Sequence, residues 1–435
     1  MLDPAASDSL RIAAVVHDIE RAFPDTSAAW DREQDWQNPE YTRWHQERSA
    51  ELAGAWLRDC EADPQLIEQV ERLILVHEEG GSPEADILQA ANALSFLDTM
   101  VPMLLSWSAA GRTDAALARL GHAVECVNPT LEAACIQAAS RAEAAASRVR
   151  AAPTPERVVS SAALVRRGVV FRLARDRFPG MPLFPGHPAF QVLSYRTPQG
   201  IRAAGDQPWG GCNAAGLGYM SELVLGTQHT GAHIDAHAHM TIGPEDRWHG
   251  GRAVSDLGDF GPLRGDASEI PPLWRRGVLY DVPTFRGLPA LAAGSPITAD
   301  ELEAIEEANG IAVRSGDVAL IRTGYLSVWP DPERLAAHRG AGPDISAARL
   351  LADRDVVAVG SDTETFEVQP APDRGEPANP QPVHTLLLIE KGIYIMESLD
   401  LEALAAARVL EFLFVALPLA IKGATGSMID PVAVT

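Results

Sequence analysis

The sequence predicts a multidomain protein of mixed class, an all-helical N-terminal domain followed by an α/β domain. Three observations lead there. Up to about residue 150 glycine is sparse and apolar residues recur at helical spacing. From Pro155 onward glycine and proline become frequent and β-branched runs appear. The change of texture coincides with Pro153 and Pro155, which place domains at 1–152 and 157–435. The length of 435 residues is ample for two domains of ~100–200 residues each.

In chain order, Gln65–His77 carries Leu66, Val70, Leu73 and His77 on one helical face, and Gly80-Gly81 is expected to end that helix. Leu131–Ala152, rich in Ala, Glu and Arg, is helical by propensity. In the second domain Val278–Val282, Val318–Arg322 and Val356–Val359 read as short buried strands. Between them Thr298-Ala-Asp-Glu301 has the form of a helix-capping box. The proline-rich stretch from Gln369 to Pro382 reads as a surface loop.

Composition excludes several roles. A formal net charge of −23, from 36 basic and 59 acidic residues, argues against nucleic acid or an anionic membrane as the main partner. Cys60, Cys126, Cys135 and Cys212 are scattered, with no CxxC pair, as expected in a reducing compartment. The N-terminus lacks a basic start followed by an apolar run, and no stretch approaches the ~18 apolar residues of a membrane span. The expectation is a cytoplasmic protein.

The chemistry concentrates in His229-Thr-Gly-Ala-His233-Ile-Asp235-Ala-His237-Ala-His239. Four imidazoles and a carboxylate occupy odd positions, with mostly small or apolar groups between them. On an extended strand, where successive side chains alternate, all five share one face. Left buried and unpaired they are costly. A divalent cation supplies the compensation, since imidazole nitrogen and carboxylate oxygen suit Zn²⁺ and Mn²⁺ alike. An exposed polar strand is the alternative.

This segment resembles the HxGTHxDxPxH signature of the cyclase family of metal-dependent hydrolases, which includes bacterial kynurenine formamidases and isatin hydrolases. Ser161–Gly168, Arg275–Val282, Ser315–Gly324, His384–Glu397 and Gly423–Ser427 resemble further family segments in the same order. The resemblance covers residues 157–435 and implies a swivelling β/β/α domain and an oligomer. It implies His229, His233 and Asp235 as metal ligands and His239 as general acid/base. His384 and Glu397 would complete a second metal position, or position water and substrate. Two positions depart from the signature. Ala232 stands for threonine. His237 stands for proline, where it adds a ligand, a substrate contact or nothing. Trp248, Tyr325 and Trp329 are candidates to line an apolar pocket.

The N-terminal domain carries His17-Asp18, His45, His77-Glu78 and Asn92 in helical contexts and resembles the HD superfamily of helical metal-dependent phosphohydrolases. The resemblance implies a second metal site at His17, Asp18, His45 and His77. Only sixteen residues precede His17, so the upstream helix that usually carries a histidine is missing. Asn92 occupies the place of the closing aspartate and is a poorer ligand for a hard cation. The leading expectation is hydrolysis of an amide, cyclic amide or lactone-like bond in the C-terminal domain, and a small-molecule substrate is the expectation that goes with that chemistry. The alternatives are an HD phosphohydrolase with an accessory C-terminal domain, and a non-catalytic metal-dependent binding protein.

Overall fold

The computed structural model describes residues 5–23, 30, 35–206, 208–375 and 377–435. Its contacts divide the chain into two compact units, Met1–Val149 and Arg150–Thr435.

The first unit is helical: α1 (Asp8–Val16), α2 (Pro39–Asp59), α3 (Pro64–Ile74), α4 (Pro83–Thr99), α5 (Val101–Ala109), α6 (Thr113–Glu125) and α7 (Glu132–Ala151). The local sequence sets the starts. Asp63 accepts hydrogen bonds from the Gln65 and Leu66 amides, with Pro64 at the first helical position, and Ser82 and Pro83 do the same for α4. α3 buries Ile67, Val70, Leu73 and Ile74, the stripe expected from its spacing. It stops at Ile74, earlier than Gly80-Gly81 suggested, because a run of turns carries His77 and Glu78 away from the helix axis. Leu10, Ala53, Val70 and Leu88 form one apolar cluster, and Leu104, Trp107, Leu120 and Ala138 belong to another.

The second unit is built on a nine-stranded mixed sheet. Its strands in chain order are β1 (Val170–Arg172), β4 (His233–Asp235), β5 (Leu273–Asp281), β6 (Val318–Arg322), β7 (Ala358–Ser361), β8 (Tyr394–Glu397), β9 (Glu411–Ala416), β10 (Gly426–Met428) and β11 (Val432–Val434). A separate hairpin of β2 (Gln191–Arg196) and β3 (Ser221–Leu225) stands apart from it. The spatial order is β1-β11-β9-β5-β6-β7-β8-β4-β10. β5 to β8 run parallel and the flanking strands antiparallel. α8 (Pro155–Ala162) precedes the sheet. α9 (Ala299–Asn309) and α10 (Ile345–Asp353) make the crossovers that parallel neighbours require. Thr298 caps α9 by accepting from the Glu301 amide.

Both faces of the sheet are buried. Leu279, Val318 and Leu320 join one apolar cluster, while Val278, Tyr280, Ala319 and Ile321 join the other. That two-sided burial explains why these strands read as continuous apolar runs. Among the described residues no single helix is long and apolar enough to cross a membrane.

Candidate metal centre

β4 lies between β8 and β10, and its register builds the site. His233 stands opposite Glu397 on one side and Met428 on the other, and Asp235 stands opposite Gly426. Glu397 ends β8, and the segment leading to Glu367 leaves the carboxyl end of β7. The centre therefore sits at the carboxyl ends of two parallel strands, where α/β sheets place ligands.

The histidine segment is not one continuous strand. β4 spans only His233–Asp235. Before it, Gly231 adopts a left-handed φ of 61°, which a side chain resists. Arg177 braces that turn by donating to the carbonyls of Thr230, Ala232 and Ile429. After β4 the chain turns through Ala236–His239. These two turns bring His229 and His239 to the same centre as His233 and Asp235, with the His229 and His239 rings stacked 4.0 Å apart. They carry His237 elsewhere, so the expectation that one strand face holds all four imidazoles is corrected. His237 stacks on Tyr394 at 4.4 Å, packs edge-on against His249 and meets the Gly392 carbonyl at 3.0 Å. It joins the first motif to the segment between His384 and Glu397 rather than joining the ligand set.

The three remaining ligand histidines share one arrangement. His233 Nδ1 lies 2.7 Å from the Gly231 carbonyl, His384 Nδ1 lies 2.5 Å from Glu367 Oε1, and His229 Nε2 lies 3.2 Å from the Thr425 hydroxyl. In each case the second nitrogen faces a central carboxylate. His229 Nδ1 is 2.8 Å and His233 Nε2 3.6 Å from Asp235 Oδ1, and His384 Nε2 is 3.9 Å from Asp235 Oδ2. Glu397 lies 3.4 Å from His233 and 3.3 Å from His384. Outward hydrogen bonds of this kind fix the tautomer and orientation of a metal-binding imidazole. Gly426 makes room for this packing, since a Cβ there would come within 2.5 Å of the His229 ring.

The donor set fits a divalent cation. His229, His233 and Asp235, and again Asp235, His384 and Glu397, present ligand atoms within 4.8 Å of one another. Both Asp235 oxygens and His229 Nδ1 are buried without a well-directed hydrogen bond, although His229 and Asp235 are close. Buried carboxylates are seldom left this way, and a cation is the partner that satisfies them.

Electrostatics follow the burial. Burial opposes ionisation of Asp235, but the surrounding His239, His229 and His233 hold its carboxyl well below the usual range. Glu397 is likewise lowered, burial being outweighed by hydrogen bonds from His233 and His384. For His384, burial favours the neutral ring, but Glu367 and Glu397 together push its pKa well above the ordinary value. His239 is pushed down to about 4, chiefly by burial, which Asp235 only partly opposes. It is a neutral base at physiological pH.

A cavity of about 250 Å³ opens on the centre. His239, Phe184, His187, Tyr325, Trp329 and Glu364 are among its walls. Asp362 positions part of that wall by accepting from the Thr323 amide and hydroxyl and the Gly324 amide. Tyr325 donates to Glu364 at 2.7 Å. Trp248 is buried away from the cavity, its indole N–H donating to the Arg264 carbonyl. Sequence reading missed Glu367, Arg177, Thr425 and His187. Thr425 lies in the glycine-rich Gly423–Ser427 segment, a usable signal; the other three carry none.

The helical unit brings its four sequence-predicted residues together as well. His45 Nε2 is 3.1 Å from Asp18 Oδ1, and His17 and His45 pack their rings 5.0 and 5.2 Å from His77. His17 Nε2 meets Asn92 Oδ1 at 3.2 Å. Asp18 Oδ1, His45 Nε2 and His77 Nε2 are buried without a well-directed hydrogen bond. Burial pushes His77 down to about 4, whereas Asp18 and Glu20 raise His45 against its burial. Glu20, 2.9 Å from His45, was missed, and Glu78, named beside His77 but not as a ligand, lies 3.6 Å from it.

A mixed sheet that gathers histidines and carboxylates at its strand ends defines a metal-centre protein. Residues 150–368 match the model of the Cyclase family, described as "Putative cyclase", and the chain belongs to that family. A crystal structure of a novel cyclase is 26% identical with a TM-score of 0.58, over 66% of this chain and 95% of that one. Isatin hydrolase A from Labrenzia aggregata, bound to benzyl benzoate, is 20% identical with a TM-score of 0.45, over 64% of this chain and 97% of its own. A predicted metal-dependent hydrolase from Bacillus stearothermophilus is 19% identical with a TM-score of 0.37, over 62% and 98%. A comparison with curated proteins finds no match.

Proposed function

We propose that the second unit is a metal-dependent hydrolase that cleaves the C–N bond of an amide or cyclic amide, or a lactone-like bond. The observation that carries this reading is the meeting of His229, His233, Asp235, His384 and Glu397 around unsatisfied carboxylate oxygens. His229, His233 and Asp235 would hold one divalent ion, Zn²⁺ or Mn²⁺, and Asp235, His384 and Glu397 a second position or the substrate. When bound, such an ion polarises the carbonyl under attack and makes water a stronger acid. The protein's own groups do the rest. His239 borders the cavity and is neutral, so its imidazole can take the water proton and return it to the leaving nitrogen or oxygen. Glu367 holds His384, and Thr425 holds His229. Phe184, Tyr325 and Trp329 form apolar walls that suit a compact substrate bearing a planar ring.

The test replaces His233 with alanine and measures metal content beside hydrolysis of a panel of aryl amides, lactams and lactones. Loss of both together is expected. Hydrolysis retained by the metal-stripped variant overturns the reading. The cluster of His17, Asp18, His45 and His77 favours a second, separate reading, in which the helical unit also holds a divalent ion. A phosphoester panel on the same preparations tests whether that ion supports hydrolysis of its own.

A further inference from the structure

The helical unit holds a cavity of about 440 Å³, within the usual range of small-molecule sites. Trp36, Tyr41, Phe96, Trp107 and Met103 are among its walls. Arg119, on α6, lines it as well. The guanidinium carbon of Arg119 lies 4.8 Å from the Trp36 ring centroid and 4.3 Å from that of Phe96. Ring faces attract a cation, but they accept no conventional hydrogen bond. Among the described residues no hydrogen bond or ion pair engages this guanidinium. Burial pushes its pKa below the ordinary arginine value. Its charged neighbours are occupied. Arg21 pairs with Asp18 at 2.7 Å, and Glu78 accepts from the Asn92 amide at 3.2 Å. A largely buried guanidinium with five N–H donors and no acceptor is costly to keep.

We propose that this cavity binds a planar aromatic carboxylate, with Arg119 as the partner of its two oxygens. The guanidinium fork matches a carboxylate in spacing and plane, so the pair can form two parallel hydrogen bonds. The aromatic walls suit a flat ring behind that group. Charge selects the carboxylate over a phosphate ester. A phosphate monoester carries about −1.5 to −2 at neutral pH, and Glu78 and Glu79 stand in the same wall. Glu78 is near enough for its charge to act on Arg119. One unengaged guanidinium therefore balances one negative charge and leaves a second facing carboxylates. On a chain of net charge −23 most of the surface repels an anion, so one that enters must be held by a local cation. Arg43, exposed where it lines the cavity, adds to that attraction. The cavity also reaches His45 and so borders the histidine cluster, but recognition through Arg119 requires no metal ion.

This site is independent of the hydrolase reading, and its test uses no activity. The full chain is stripped of metal, so that no carboxylate is captured by an ion. Calorimetric titration then compares 2-naphthoate with its uncharged analogue 2-naphthamide and with 2-naphthyl phosphate. The carboxylate should bind with a dissociation constant below about 1 mM and at least tenfold more tightly than either of the others. Arg119→Met should weaken 2-naphthoate at least tenfold, with little change for 2-naphthamide. Arg43→Glu, a substitution at an exposed position, should weaken it about threefold, the scale of a partly screened surface charge. Circular dichroism checks the fold of each variant, and if Arg119→Met does not fold, Arg43→Glu and the wild-type comparison decide. Equal affinity for carboxylate and amide overturns the proposal. So does a phosphate ester that binds as tightly as the carboxylate, or wild-type affinity for 2-naphthoate in the folded Arg119→Met or Arg43→Glu protein.

Discussion

Replacing Glu367 with glutamine tests whether the centre depends on a residue that touches no substrate. Glu367 is fully buried. Its Oε1 accepts from the His384 amide and Nδ1, and its Oε2 accepts from the Val383 amide. Glutamine keeps the shape but removes the charge. If its oxygen takes the place of Oε1, its NH₂ faces the Val383 N–H, and one buried donor loses its acceptor. An unsatisfied buried donor costs ~1–3 kcal/mol, and the weakening of charged hydrogen bonds adds about one more. The expected loss is therefore about 2–4 kcal/mol in the metal-free protein. His384 also loses the group that sets its tautomer, a change that usually costs ~10–100-fold in metal affinity. The pH dependence has a defined sign. The folded-state pKa of His384 is raised, so its contribution is complete below the unfolded value of ~6.5 and fades as pH rises through the folded one. The stability gap between wild type and variant should narrow from pH 6 toward pH 9. Urea unfolding of metal-free protein measures the gap, following the transition that added metal shifts, and calorimetric titration measures affinity. A variant within 0.5 kcal/mol, on the order of the smallest net hydrogen-bond contribution, and with unchanged metal affinity would refute the reasoning.

Three further outcomes are expected. His239→Gln should keep its metal and its fold while losing about 10²–10⁴ in kcat, the usual worth of a positioned acid/base; steady-state kinetics with metal analysis checks it, and near-wild-type kcat removes His239 from the reaction. Gly426→Ala should displace the His229 ring, because the new methyl meets it at 2.5 Å; reduced metal content in an otherwise folded protein is the signature, and full loading at wild-type affinity contradicts the packing. In metal-free protein, His77 contributes a depressed folded pKa of about 4 against ~6.5 unfolded. Its stabilisation is complete above the unfolded value and is lost as pH falls through the folded one, up to about 3 kcal/mol. His77→Gln should therefore flatten the acid side of the stability profile relative to wild type; equal slopes between pH 7 and pH 4 count against a buried neutral ring.

The sequence was legible where periodicity and chemistry coincide. The apolar runs at Val278, Val318 and Val356 fall on β5, β6 and the approach to β7 because sheets covered on both faces write uninterrupted apolar codes. The hairpin β2–β3 gave no comparable signal, since its apolar residues point to solvent on both faces. Within the metal segment, strand parity correctly joined His233 to Asp235, the two odd positions on β4. It reached His229 and His239 for a different reason, the turns at Gly231 and at Ala236–His239. Side-chain alternation holds only while the backbone stays extended, so a motif that leaves its strand at both ends redistributes its residues by turn geometry. His237 shows the consequence. Its imidazole stands at an odd position, yet its contacts are Tyr394, His249 and the Gly392 carbonyl. Glu367 was hidden for the opposite reason. It lies seventeen residues before His384 across a proline-rich loop, and only the fold brings that loop back over the end of β7. Sequence spacing names the groups that can bind a cation, whereas the residues that aim them come from wherever the chain must return to satisfy their second nitrogen.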